Sequence, residues 1–93
     1  MKKEEEHALL MKILGNATRL TILKVIYASK EDLCVNQIAS RVGISQSLAS
    51  HQLAYLSAHG VVENHRMGQT MCYVPAKNEL SHIVVKILKI LSL

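Results

Sequence analysis

Residues 44–62 constrain this chain more than any other stretch. Ser45 can begin a helix by offering its hydroxyl oxygen to an unpaired backbone N–H. Along that helix Ala49, Leu53 and Leu56 fall on one side, small polar residues fall on the other, and Gly60 ends the segment. A shorter helix, Gln37 to Val42, precedes it across a turn at Gly43, with Ile38, Ala39 and Val42 inward. Two helices joined this tightly predict a helix-turn-helix over 36–58. The second helix of such a pair can present its polar face to a DNA major groove.

The flanking chain supplies the rest of a domain. Leu9, Leu10, Ile13 and Leu14 recur at helical spacing, which predicts a first helix over 4–14, ended by Gly15. Asn16 can cap a second helix with Leu20, Ile22, Leu23 and Ile26 inward. Ser29 to Asp32 form a polar loop, and Leu33-Cys34-Val35 reads as a short extended segment. Val61 to Arg66 and Thr70 to Val74 flank a Met67-Gly68-Gln69 turn, predicting a hairpin or wing over 61–75 that Pro75 stops. A last helix over 78–92 carries Leu80, Ile83, Val84, Ile87, Leu88 and Leu91 on one stripe. The expected fold is mainly α with a β-hairpin wing. Its order is α-α-(β)-α-α-β-β-α, a single winged helix-turn-helix domain over 1–93.

Composition limits the function classes. Apolar residues make up 49% of a short chain that lacks Trp and Phe, a surplus that predicts burial between subunits. A net charge of +4 permits a polyanionic partner without requiring one. The N-terminus has no apolar leader, and Ile83 to Leu93 is too short to span a bilayer, so a cytoplasmic protein is expected. Cys34 and Cys72 form no C-x-x-C pair, and two cysteines without a signal sequence fit a reducing compartment. No Gly-rich phosphate loop, Ser/His/Asp arrangement or paired carboxylates suggest an enzyme, and no cofactor or small-molecule substrate is expected.

Four stretches together resemble the ArsR/SmtB family of small transcriptional repressors. They are Gly15-Asn16-Ala17-Thr18-Arg19-Leu20-Thr21-Ile22-Leu23, the 33–42 segment, Ser45 to Val62, and Gly68-Gln69-Thr70-Met71-Cys72-Tyr73. The resemblance spans residues 8–90 and implies a homodimer built on the first and last helices. Leu9, Leu10, Ile13, Leu80, Ile83, Val84, Ile87, Leu88 and Leu91 would then form the dimer interface. It also implies double-stranded DNA as partner, with fourth helices in successive major grooves and wings in the flanking minor groove. Two reading helices on one face of the duplex must sit about one turn, ~34 Å, apart.

The family's reading positions match Ser47, Ser50 and His51, with Gln46 beside them. Gln can pair with adenine, and Ser can bond phosphates or base edges. The alternative for these residues is a solvated face on a well-capped helix. Arg66, Gly68 and Gln69 at the wing tip are candidate backbone or minor-groove contacts, or else an ordinary exposed hairpin tip. Arg41 is a candidate phosphate ligand, or else a surface Arg.

The family's sensing sites are not carried over. Asn36 stands where the third-helix metal site wants a second thiol, and the N-terminus has no cysteine. Lys77, Glu79, Ile90 and Leu93 occupy the positions of the other metal site, which leaves His82 alone where zinc needs three or four ligands. His7, His51, His59 and His65 read as surface or DNA-facing groups, and no metal is expected. Lys24 holds the place of the family's dithiol cysteine on the second helix, and the last helix has none.

Two readings of Cys34 and Cys72 stand: two unpaired thiols, or a redox pair. In a winged helix the strand before the third helix meets the returning wing strand, so the two cysteines can lie opposite each other on the outer face. A register slip of one residue would separate them.

Two other readings compete with the assignment as a whole. The last helix can be taken as a membrane-surface helix, against which the matching apolar face of the first helix favours dimer packing. Residues 33–76 contain only Arg41 and Arg66 as fixed cations, which leaves room for a winged-helix protein-interaction module. The leading expectation is a dimeric repressor acting on an inverted repeat.

Overall fold

Three local signals set the helix starts. Asn16 Oδ1 accepts from the Arg19 backbone N–H at 3.0 Å, and Ser45 Oγ accepts from that of Leu48 at 3.0 Å. Asn78 and Ser81 form a reciprocal box, with Asn78 Oδ1 accepting from Ser81 N–H at 2.8 Å and Ser81 Oγ accepting from Asn78 N–H at 3.0 Å. Each such cap stabilises its helix by ~1 kcal/mol. A computed structural model describes residues 1–92. It contains α1 (Lys2–Leu14), α2 (Ala17–Ala28), β1 (Leu33–Cys34), α3 (Val35–Val42), α4 (Gln46–Ala58), β2 (Val62–Met67), β3 (Thr70–Pro75) and α5 (Glu79–Leu91). This is a winged helix-turn-helix with an added helix at each end.

Several boundaries differ from expectation. The wing strands run over Val62–Met67 and Thr70–Pro75, so Pro75 is the last residue of β3 rather than the residue that stops it, a strand-end place where its missing N–H costs little. The extended segment before α3 is two residues, and Val35 already belongs to the helix. Cys34 takes the cap position because the Gln37 side chain turns back to accept the Cys34 backbone N–H at 2.8 Å. α1 starts at Lys2, two residues early, with acidic Glu4 and Glu5 in its first turn. Such charges favour a helix N-terminus. Gly43 ends α3 at φ 82°, where its N–H bonds Ala39 O at 2.8 Å. That left-handed backbone is open to glycine at no steric cost, which makes the turn between α3 and α4 tight.

The sheet order is β1-β3-β2, antiparallel throughout. Leu33 lies opposite Tyr73, and Cys34 opposite Cys72. On the other side of β3, Asn64 faces Tyr73 and His65 faces Cys72. Strand residues alternate between faces, so Leu33 and Tyr73 point to the core, while Cys34, Cys72 and His65 share the opposite face.

The core takes Leu10 and Ile13 from α1, Ile22, Leu23 and Ile26 from α2, and Ile38 and Ala39 from α3. Ala49, Leu53 and Leu56 from α4, Val84 and Leu88 from α5, and Leu33, Val61, Val62 and Tyr73 from the sheet and its base complete it. Leu20 and Val42, expected inward, are half-buried at its margin. Tyr27 donates its hydroxyl to Val61 O at 2.6 Å, joining α2 to the base of the wing. Burial pushes the Tyr27 phenol up to about 12.

The apolar stripe on the end helices divides in two, which corrects the expectation that all of it faces a partner. Leu10, Ile13, Val84 and Leu88 are buried within the protomer itself. Leu9 and Leu91 are exposed, and Leu80, Ile83 and Ile87 are half-buried. The core of so small a domain needs one side of each end helix for itself.

Candidate nucleic-acid interface

Burial of Ala49, Leu53 and Leu56 fixes how α4 is rotated about its axis. The opposite side of its first two turns is therefore turned to solvent, where Ser47, Ser50 and His51 are exposed, and Gln46 is exposed beside them at the first position of the helix. Ser45 satisfies one backbone N–H of the first turn. The positive end of the helix dipole sits among these side chains, where it favours an anionic group such as phosphate.

The wing returns to this end of α4. Gly68, at φ 66°, has open space around it and makes the reversal between β2 and β3. Gln69 and Thr70 then line an open concavity of about 330 Å³ together with Val35, Asn36, Gln46 and Met71. The structure thus brings two candidate contacts, Gln46 and Gln69, to one polar hollow between the helix and the wing. Asn36 and Thr70 belong there as well. In the sequence, Asn36 registers only as a missing thiol and Thr70 only as a strand residue. Their proximity to Gln46 depends on how the wing folds back.

Arg41 at the end of α3 and Arg66 in β2 are exposed, but neither lines this hollow. His65 is not a free surface group: its Nε2 pairs with the Asp32 carboxylate just before β1. His51 remains on the outer face of α4, and His82 is exposed on α5.

Arg19 positions α4 from behind. Its guanidinium donates to Ile13 O at 2.9 Å and to Lys12 O at 3.2 Å, two carbonyls at the C-terminal end of α1. It also donates to Gln52 Oε1 at 3.5 Å and lies 4.5 Å from the Tyr55 ring centroid. One side chain thereby links α1, α2 and the reading helix.

Cys34 and Cys72 are joined by a disulfide, so the reading of two unpaired thiols is corrected. Antiparallel register places them in a directly opposed pair, the short-range arrangement a disulfide requires. They lie opposite the core face, as alternation demands, yet Cys72, on the central strand β3, is fully buried.

Comparison with known proteins decides the assignment. The model of the family described as "Bacterial regulatory protein, arsR family" matches residues 16–64, from the cap of α2 into the wing. The chain belongs to the arsR family. It is 30% identical over 83 residues to the transcriptional activator HlyU of Vibrio cholerae, covering 89% of this chain and 75% of that protein. Its structure superposes on HlyU with a TM-score of 0.83 at 28% identity, over 96% of this chain and 95% of the other. The nodulation protein NolR of Rhizobium meliloti is 38% identical over 79 residues, 85% of this chain and 60% of that one. A homodimeric winged helix-turn-helix DNA-binding domain from Mycobacterium bovis gives a TM-score of 0.81 at 25% identity, over 98% of this chain and 82% of that one.

Members of the arsR family are DNA-binding transcriptional regulators, and the fold, the reading helix and the wing are those of the family rather than of an enzyme. Among the described residues, no group of three or more His, Cys, Asp or Glu could hold a metal ion. Of the residues at one family metal position, Lys77 is exposed just before α5, Glu79 and Ile90 are exposed near its two ends, and Leu93 lies outside the described residues. No described helix is long and apolar enough to cross a membrane.

Proposed function

We propose that this arsR-family protein is a homodimer that reads an inverted repeat with α4 and represses by occupying it. The observation that carries this reading is the polar hollow shared by the N-terminus of α4 and the wing turn. Within it Gln46 and Gln69 can reach a base edge and the adjoining backbone together, while Ser47, Ser50 and His51 extend the same surface along α4. Arg41 and Arg66 supply flanking phosphate contacts. Relatives include an activator as well as repressors, so the sign of regulation depends on where the repeat lies in the promoter.

The dimer uses what the protomer core leaves over. Leu9, Leu80 and Ile83 line a groove of about 360 Å³ between α1 and α5, and Ile87 and Leu91 continue its apolar side. Ile90, exposed and on the same side of α5 as Ile83, enlarges the patch. The homodimeric mycobacterial domain supports this arrangement. A monomer in analytical ultracentrifugation at micromolar concentration would remove it.

The decisive experiment is fluorescence anisotropy with the protein's own promoter fragment across a salt series. Binding should weaken steeply as salt rises, because phosphate contacts release counterions. Replacing Ser50 and His51 together with Ala should abolish specific binding and leave the circular dichroism spectrum intact. Unchanged binding by that variant would reject the reading helix. No binding by the native protein would return the domain to a protein-interaction role.

A further inference from the structure

Four side chains gather on the outer face of the sheet: Cys34, Cys72, His65 and Asp32. Cys34 and Cys72 are directly paired across β1 and β3, and His65 stands opposite Cys72 on β2. The Asp32–His65 pair joins the segment before β1 to β2, spanning the central strand on the face that carries Cys72. The two cysteines differ in exposure. Cys72 is fully buried, whereas Cys34, on the edge strand, is half-buried.

This cluster adjoins the hollow described above. Cys34 caps α3, and the next two residues, Val35 and Asn36, form one wall. Cys72 follows Thr70 and Met71, which form the other wall. The disulfide therefore ties the two walls together immediately behind the surface that carries Gln46 and Gln69. Besides the disulfide, that edge is held by the two-residue pairing of β1 with β3, by the burial of Leu33 and by the Asp32–His65 pair.

We propose that Cys34–Cys72 is a reversible redox-modification site, a clasp that sets the wing against α3, opened by dithiols and closed by peroxide. The functional half of this proposal rests on the DNA-reading assignment. A regulator that works on DNA meets the glutathione and thioredoxin of the compartment that holds the DNA, where protein disulfides tend to be transient. The site is distinct from the family's dithiol arrangement, whose position on the second helix is held here by Lys24.

Opening begins at the more exposed cysteine. A reductant thiolate attacks Cys34 Sγ, the S–S bond breaks, and its electron pair leaves on Cys72 Sγ. The second thiolate of the reductant then displaces Cys34 and departs as a cyclic disulfide. Two electrons pass to the protein, and the two protons lost by the dithiol end on the two protein thiols. In closing, the Cys34 thiolate attacks a peroxide oxygen and becomes a sulfenic acid. The Cys72 thiolate then attacks Cys34 Sγ, forming the disulfide. Overall, two thiols and one hydrogen peroxide yield one disulfide and two waters.

The closed clasp holds both DNA-facing walls in one arrangement, so binding need not order the wing. Opening it should weaken DNA binding by roughly threefold to tenfold, the cost of ordering one or two additional side chains on association.

The test compares the full chain after peroxide and after dithiothreitol, with circular dichroism to verify the fold and anisotropy on the promoter fragment. Reduced glutathione, added in excess and quenched with acid, should leave its first adduct on Cys34 by peptide mass mapping. Dithiothreitol should lower affinity, peroxide should restore it, and Cys72→Ser should bind as the reduced protein does and gain no affinity on peroxide treatment, although Cys34 can still be oxidised. The proposal is overturned by a bond that survives dithiothreitol in the folded protein, or by reduction that unfolds the chain at room temperature. Equal affinities in the two states overturn it as well. If neither state binds DNA, the reading-helix assignment fails separately, and amide exchange over residues 62–75 judges the clasp. Faster exchange on reduction supports it, and unchanged exchange overturns it.

Discussion

The Arg19 guanidinium carbon lies 4.5 Å from the centroid of the Tyr55 ring. A planar cation over an aromatic face is attracted by the ring quadrupole, and here the same cation also bonds two carbonyls of α1. The contact places the reading helix against the helix that reaches the proposed dimer surface. Arg19→Ala should destabilise the domain by about 2–3 kcal/mol, from the ring contact and the charge-assisted hydrogen bonds. Arg19→Lys should recover only part of that, because an ammonium lacks the fork that reaches several acceptors. Urea unfolding with an unchanged m-value is the measurement, and a loss under half a kcal/mol (an ordinary surface effect) would show that Arg19 is incidental.

Opening the disulfide should cost stability whatever it does to DNA binding. The two cysteines are 38 positions apart. Closing a loop of that length removes chain entropy from the unfolded state equivalent to about 4 kcal/mol. The thermal midpoint of the reduced protein should fall by on the order of 20 °C, as seen by calorimetry with and without dithiothreitol. A shift of only a few degrees would mean that the unfolded chain is already restricted near these residues.

Alkaline pH should destabilise the protein in a defined window. The Tyr27 phenol is held protonated to about 12 in the folded state against 10.0 when free, because burial penalises the phenolate. Between those values the unfolded chain has released the proton and the folded chain has not, so stability falls as pH rises. Burial raises Tyr73 in the same direction, so some slope will persist without Tyr27. Tyr27→Phe should flatten the decline. It should cost ~1 kcal/mol at neutral pH, since Val61 O keeps the Ala76 N–H at 3.4 Å. Chemical unfolding at neutral and alkaline pH tests both halves.

The DNA-facing residues should separate into two kinds. Arg66→Ala should weaken binding to all sequences alike and reduce the salt slope by about 1, as expected for one phosphate contact. Gln46→Ala should relax preference at one position of each half-site, with a loss of ~1–3 kcal/mol confined to the preferred base. Anisotropy on a set of single-base variants of the operator distinguishes them. Uniform weakening by Gln46→Ala would make it a backbone contact.

Much of the architecture was legible because it is local. Asn16, Ser45 and Asn78 each bond a backbone N–H three residues on, and no distant part of the chain can alter that geometry. Gly43 and Gly68 mark turns for the same reason. The candidate site was legible to the extent that helical periodicity orients a face. Once Ala49, Leu53 and Leu56 turn inward, Ser47, Ser50 and His51 must turn outward, whereas Gln46 is exposed as the first residue of the helix. Arg19 was less legible. It lies within a recognisable motif, but its partners on α1 and α4 are set by packing.

The sequence by itself determined the order of elements, their caps and turns, and which face of α4 meets solvent, all through contacts within a few residues. Tertiary structure alone decided three things. It divided the apolar stripe, since Val84 and Leu88 are claimed by the core while Leu91 is not. It brought Gln69 of the wing to Gln46 of α4. It also set Cys34 opposite Cys72, a register in which a slip of one residue would have put the two thiols on opposite faces. Each of these depends on where one element docks on another far along the chain, and docking is settled by competition for a single small core.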